Sequence, residues 1–283
     1  MRWSVALWIA AGGVAYLLPA ISVLKNCNLL KNRFDVDSAK KLAKIGVEKG
    51  IMLSGMARNQ TEADLSGQSL RPADTILIAS DLKFMPVLTN LELQFNSMGE
   101  DGAKAIAEAL KLNPVLTKLN LYRNSIGVDG AKAIAEALKV NPVLTELSLG
   151  DNKIGADGAK AIVEALKVNP VLTILGLSSN SIGVDGAKAI AEALKVNPVL
   201  IELYLGRNQI GPEGATVIAE ALKVNPVLTV LNLSDNSIGD NGAKSIAEAL
   251  KVNPVLTDLS LGNNKIGVDG AKAIAVARRS TRS

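Results

Sequence analysis

"AEALKVNPVLTELSLGDNKIGADGAKAIVEALKVNPVLTILGLSSNSIG", from Ala135 to Gly183, states nearly the same phrase twice. The copies are 28 residues apart, and the asparagine at their centre returns without a slip at 96, 124, 152, 180, 208, 236 and 264. Each period holds two local patterns. "LTKLNLYRN" alternates apolar and polar residues through Leu119 and Leu121, as a short strand with one buried face does. "DGAKAIAEALKVNP" sets Ala131, Ile134, Ala135 and Leu138 on one helical stripe.

The helix boundaries are also written in. Asp129 is expected to cap the amino end, and Lys139 stands where the helix dipole favours a cation. Glu136 and Lys139 have the spacing of a weak surface pair. Asn141 is expected to take the left-handed terminating conformation, with Pro142 preventing continuation. One strand–helix unit cannot bury its apolar side alone, so neighbouring units must stack. An asparagine fixed in every unit and pointing inward must satisfy buried backbone groups, because each unpaired one costs about 1–3 kcal/mol. A ladder of asparagines bonding neighbouring turns meets that requirement.

The pattern L-x-x-L-x-L-x-x-N in a 28-residue helical unit resembles the ribonuclease-inhibitor-like class of leucine-rich repeats. "GAKAIAEALKVNPVLTELSL" is similar to the carboxyl-terminal repeats of NLRC3-like members of the NOD-like receptor family. The resemblance runs from about Leu65 to Ala277 and implies an α/β fold: a curved leucine-rich-repeat solenoid, a horseshoe, with a parallel inner sheet and outer helices. "ADLSGQSLRPADTILIASDLKFMPVLT" fits as a degenerate first unit, with Gln68 in the asparagine position. The sequence has no G-x-x-x-x-G-K-[ST] phosphate loop, so the receptors' nucleotide-dependent assembly does not carry over.

Three regions are expected: residues 1–30 as a hydrophobic anchor or targeting segment, 31–64 as a helical connector, and 65–283 as the repeat array. That array has the degenerate first unit and then seven regular strand units, the last one truncated. No charge stands between Trp3 and Leu24, a run near the ~20 residues that cross a membrane. The expected placement is therefore a single amino-terminal anchor through residues 3–24, with the body in the cytosol. Cleavage near Ala20-x-Ser22, giving a secreted or organelle-targeted body, is the rival. A buried helix packed on the repeats is the bland reading. Within 35–57, Asp37 or Ser38 is expected to cap a short amphipathic helix, with Leu42, Ile45 and Met52 inward.

Composition narrows the chemistry. There is no histidine and one cysteine, Cys27, so a zinc cluster, a disulfide framework and histidine-based catalysis are not expected. No cofactor, metal or catalytic residue is assigned, and the expected function is non-enzymatic. Residues 1–85 carry 11 basic and 7 acidic residues, 86–270 carry 16 and 20, and the last 13 residues add four basic ones. The repeated body is thus mildly acidic, which is a poor footprint for nucleic acid.

Comparing units shows where the chain has changed. Lysine recurs on the helix at 104, 132, 160, 188, 244 and 272, and glutamate at 108, 136, 164, 192, 220 and 248. The outward strand positions differ from unit to unit: one column reads Asn90, Lys118, Glu146, Ile174, Glu202, Val230, Asp258. Drift after duplication would have altered exposed helix positions as freely. The excess change on the inner, concave face points to recognition of a protein or peptide partner. Aromatic and arginine side chains carry most interface energy, which picks out Phe95, Tyr122, Arg123, Tyr204 and Arg207, with Asp151 and Asp235 in the same column. Tyr122–Arg123 and Tyr204–Arg207 are expected as two patches with a small-residue floor at Gly150, Gly176 and Ser178 between them. Two alternatives stand beside this scaffold. One is a GTPase regulator of the Ran GTPase-activating type, by resemblance of fold alone. The other is a truncated, non-functional copy, since the last unit has Val276 for the recurrent glutamate and runs into "ARRSTRS". That end is expected to self-associate or fray.

Overall fold

A computed structural model of the chain describes residues 23–280. It is an α/β leucine-rich-repeat solenoid in which strand and helix alternate. The strands are β1 Glu62–Asp64, β2 Asn90–Glu92, β3 Lys118–Asn120, β4 Glu146–Ser148, β5 Ile174–Gly176, β6 Glu202–Tyr204, β7 Val230–Asn232 and β8 Asp258–Ser260. They form one parallel sheet in chain order. The register steps by one repeat each time, so Leu91, Leu119 and Leu147 lie side by side.

Helix α1, Val36–Lys49, precedes the sheet; α2, Pro72–Asp81, follows β1 and runs into a 3₁₀ turn over Leu82–Phe84. After the next strands come α3 Gly99–Leu112, α4 Gly127–Leu138, α5 Gly155–Leu166, α6 Gly183–Leu194, α7 Gly211–Leu222, α8 Gly239–Leu250 and α9 Val268–Ser280. The core lies between the helix layer and the sheet. In one interior unit Leu144, Leu147, Leu149, Ile154, Ile162 and Leu166 are all essentially solvent-free, and each such side chain contributes roughly 1.5–3 kcal/mol. Helices approach closely because of a glycine: a Cβ on Gly130 would stand 2.9 Å from that of Ala103 and 2.5 Å from Ile126 Cγ2.

The asparagine ladder is present and closes at least three groups per rung. Asn152 Nδ2 donates to the carbonyls of Leu121 (2.8 Å) and Leu149 (3.0 Å), and its Oδ1 accepts from the backbone N–H of Asn124 at 2.8 Å. The boundary expectations need two corrections. Asn141 is not left-handed. It belongs to a second ladder, in which its Nδ2 donates to the Leu110 carbonyl at the end of the preceding helix (2.7 Å) and its Oδ1 accepts from Val143 and Leu144 N–H. A helix end here is therefore closed by its neighbour's side chain. Asp129 does not cap either: α4 starts at Gly127, whose N–H donates to the Asn152 carbonyl of the next unit, and Asp129 lies within the first turn. The left-handed residue at that entry is Gly127, with φ 70°. The surface pair is as expected, with Lys139 Nζ 2.6 Å from Glu136.

At the amino-terminal side, α1 is capped by Asp35, which accepts from Ser38 N–H at 2.7 Å, and it stops at Gly50 in the left-handed region. Met52 is buried, yet it lies beyond the helix, where it forms a parallel bridge with Asn26. Asp81 holds this segment to α2. Its carboxylate accepts from the N–H groups of Leu53 and Ser54 and from the Ser54 hydroxyl, at 2.6–2.9 Å. Burial pushes that carboxyl up, against the hydrogen bonds that pull it down.

The expected membrane anchor is corrected. No helix among the described residues is long and apolar enough to cross a membrane. The helices that carry the array have 10–14 residues, about 15–21 Å of helix against a hydrocarbon layer of about 30 Å. The end of the uncharged run is part of the folded body, since Leu24 packs against the buried cluster that includes Ala39, Leu42 and Leu53. Residues 3–22 of that run lie outside the described residues.

Candidate binding surface

Each strand contributes three residues, of which the central one faces the core. The flanking residues form the open face of the sheet, and the exact repeat register turns them into rows with neighbours about 4.8 Å apart. Beyond each strand the chain enters a left-handed turn. Phe95, Arg123, Asp151, Arg207 and Asp235 all occupy it, with φ between 53° and 59°. Glycine or asparagine suits that conformation at least cost, and other residues pay about 1–2 kcal/mol to adopt it.

One of the two expected patches is assembled. Phe95 and Tyr122 meet edge to face, with centroids 5.4 Å apart at 73°. The Arg123 guanidinium lies 5.9 Å from the Phe95 ring, and its Nε stands 3.4 Å from Asp151. Phe95, Tyr122, Arg123 and Asp151 thus form one chain of contacts across three units, with Phe95 half exposed.

The other patch is arranged differently. Arg207 Nε lies 3.6 Å from Asp235, and both face outward at the turn. Tyr204 instead donates its hydroxyl proton to Glu202 Oε2 at 2.6 Å. That hydrogen bond, with partial burial behind it, pushes the phenol up to about 12. Tyr204 is thereby kept neutral and locked against the strand.

Between the tyrosines the sheet face sinks into a trough of about 370 Å³. Tyr122 and Tyr204 flank it, and Ile174, Gly150, Gly176 and Ser178 line it between them. The Tyr122 ring lies directly over Gly150, where a Cβ would meet Cδ2 at 2.8 Å. Gly176 is different: a Cβ there would find Ser148 at 3.5 Å, so a side chain fits and would stand in the trough. Lys118 and Glu146, paired at 2.7 Å, also line it, as does Glu92. Selection by aromatic and arginine type passed over these acids and Lys118. Their signal was their place in the variable columns. Phe95, Arg123, Asp151, Arg207 and Asp235 do not line the trough.

Among the described residues no group of three acids or cysteines is placed to hold a metal. Seven stretches match the model of the Leucine Rich repeat family: residues 85–107, 112–135, 140–163, 168–191, 196–219, 224–247 and 252–275. No curated protein matches the chain. Among solved structures it is similar to leiomodin-1 actin-binding site 2, at 21% identity over 64% of this chain and 88% of that one, with a TM-score of 0.41. It is also similar to the tropomodulin C-terminal domain of Caenorhabditis elegans, at 14% identity over 55% of this chain and 93% of that one, with a TM-score of 0.46. The repeat match is to the family as a whole and does not reach the ribonuclease-inhibitor-like or NOD-like receptor level. Its seven stretches together span more than half of the residues, and the chain belongs to the leucine-rich repeat family.

Proposed function

We propose that the protein is a non-enzymatic scaffold that recognises a protein or peptide through the concave, open face of its sheet. The observation that carries this reading is the contact chain Phe95–Tyr122–Arg123–Asp151, built from residues of three units at positions that differ from unit to unit. Aromatic rings and an arginine, held together and half exposed, have the composition of an interface anchor. Phenylalanine and arginine in a turn that favours glycine add to the support, because that substitution costs stability and gains the fold no core contact. Arg207 and Asp235 extend the surface along the turn row. We infer the ribonuclease-inhibitor-like subclass from the 28-residue unit with a full helix on its outer side.

The test is affinity capture from the source cells with the full-length protein beside its Tyr122/Arg123/Tyr204/Arg207→Ala variant. Circular dichroism checks that both are folded. A partner retained by the first and lost by the second supports the reading. Equal capture of the same partner places recognition elsewhere and overturns it.

A further inference from the structure

The open face of the sheet has a charge unlike that of the rest of the chain. Its two strand rows carry Glu62, Asp64, Glu92, Glu146, Glu202 and Asp258 against a single cation, Lys118. That is a formal −5, whereas the whole sequence is +4. Lys118 is already committed, 2.7 Å from Glu146. The other five carboxylates form no ion pair among the described residues. Glu202 is bonded to Tyr204, Asp64 accepts from Ser66 N–H, and Asp258 from the Thr257 hydroxyl. The helix side differs, because its recurrent glutamates are paired with the lysines that close the same helices.

We propose, resting on the concave-face reading above, that the trough between Tyr122 and Tyr204 receives lysine or arginine side chains from an extended basic segment of the partner. Three features favour that occupant. The trough of about 370 Å³ has room for side chains, and its lining joins aromatic rings to the carboxylates of Glu92 and Glu146. A cation over a tyrosine face gains attraction that a neutral or acidic group lacks. Surplus negative charge on the surrounding rows draws a basic segment in and repels acidic peptides and phosphate backbones. The field is felt by the one cation present: Lys118 is held above the usual ammonium range, first by Glu146 and then by Glu62 and Glu92.

The experiment is a fluorescence-anisotropy titration of the full-length protein with labelled arginine-rich, glutamate-rich and glycine-serine peptides. The variants are Glu92→Gln/Glu146→Gln, which removes charge at the trough, and Gly176→Leu, which fills it. Glu136→Gln/Glu164→Gln removes equal charge from the helix side. The expected result is binding of the arginine-rich peptide alone, at least tenfold weaker in the first two variants and unchanged in the third. Equal loss in the helix-side variant, equal binding of the other peptides, or no binding of the basic one overturns the inference. A captured partner that depends on Tyr122 and Arg123 but is indifferent to Glu92→Gln/Glu146→Gln also overturns it, while leaving concave-face recognition standing.

Discussion

The two exposed sides of this solenoid are built at the same period and have been treated in opposite ways. On the helix side, Lys139–Glu136, Lys167–Glu164, Lys195–Glu192, Lys223–Glu220 and Lys251–Glu248 are copies of one arrangement, each between the last turn of a helix and the residue that closes it, at 2.5–2.6 Å. On the sheet side the ion pairs run between units: Lys118–Glu146, Arg123–Asp151 and Arg207–Asp235. A pair inside one unit is reproduced whenever the unit is duplicated. A pair between like positions of two units requires the neighbours to carry different residues, so it appears only after they diverge; the helix side's between-unit pair, Lys188–Glu213, joins two different positions of the repeat instead. Exposed pairs of either kind contribute little to stability. The fold places little demand on either side, and yet the outward strand positions have diversified more than the recurrent lysine and glutamate positions of the helices, which Thr216 alone interrupts before the last unit. What holds the fold is buried between them, in the leucine core and the two asparagine ladders.

The comparison is broken most severely by attacking what both sides share. Asn180→Ala removes the acceptor of the Asn152 N–H and the donors to the Leu149 and Leu177 carbonyls. Urea denaturation should show a loss on the order of 3 kcal/mol or more, whereas Lys160→Ala on the helix side should leave the midpoint where it was. Asp81→Ala strips the partners of two buried N–H groups at the amino-terminal side. A loss of about 1–3 kcal/mol is expected in the same assay.

Gly176→Leu sharpens the comparison, since it should fill the trough with almost no change in denaturation midpoint while weakening partner binding. The pH dependence is narrower. Because the folded phenol of Tyr204 is raised to about 12, its contribution to stability is complete below the unfolded value near 10 and is lost as pH rises through 12. Ultraviolet titration should show Tyr204 ionising late, and Glu202→Gln should bring it earlier. The smallest effect is Ile201→Thr. Thr145 and Thr173 each donate a hydroxyl proton to the threonine carbonyl one unit before, and Ile201 interrupts that row. Restoring the donor should stabilise by roughly 0.5 kcal/mol.

Much of this was legible in the residues. Period-2 and period-3.6 patterns gave strands and helices, and the fixed Asn152 position required the ladder that its amide makes. Misread features were those closed by a neighbouring unit. Asn141 looks like a local terminator, but its amide reaches 31 residues back to Leu110, and the cap of Gly127 comes from Asn152 of the next turn. Local capping rules do not see partners supplied by stacking. The same limit splits the proposed binding residues: Tyr122 and Arg123 join Phe95, while Tyr204 turns to Glu202 rather than Arg207. The trough is half visible in the small floor at Gly150, Gly176 and Ser178, while its acidic lining shows only once the strands are stacked. The uncharged run ending at Leu24 suggests an anchor by its length, and the packing of Leu24 against the cluster around α1 and α2 is a tertiary contact that length does not report.

The most direct test of recognition by the sheet side is a pair of dissociation constants for one captured partner. One is measured with Tyr122/Arg123/Tyr204/Arg207→Ala, the other with Lys132/Glu136/Lys188/Glu192→Ala on the helix side. A loss of tenfold or more in the first and none in the second is the predicted result. The reverse order, or equal losses in two folded variants, would contradict it.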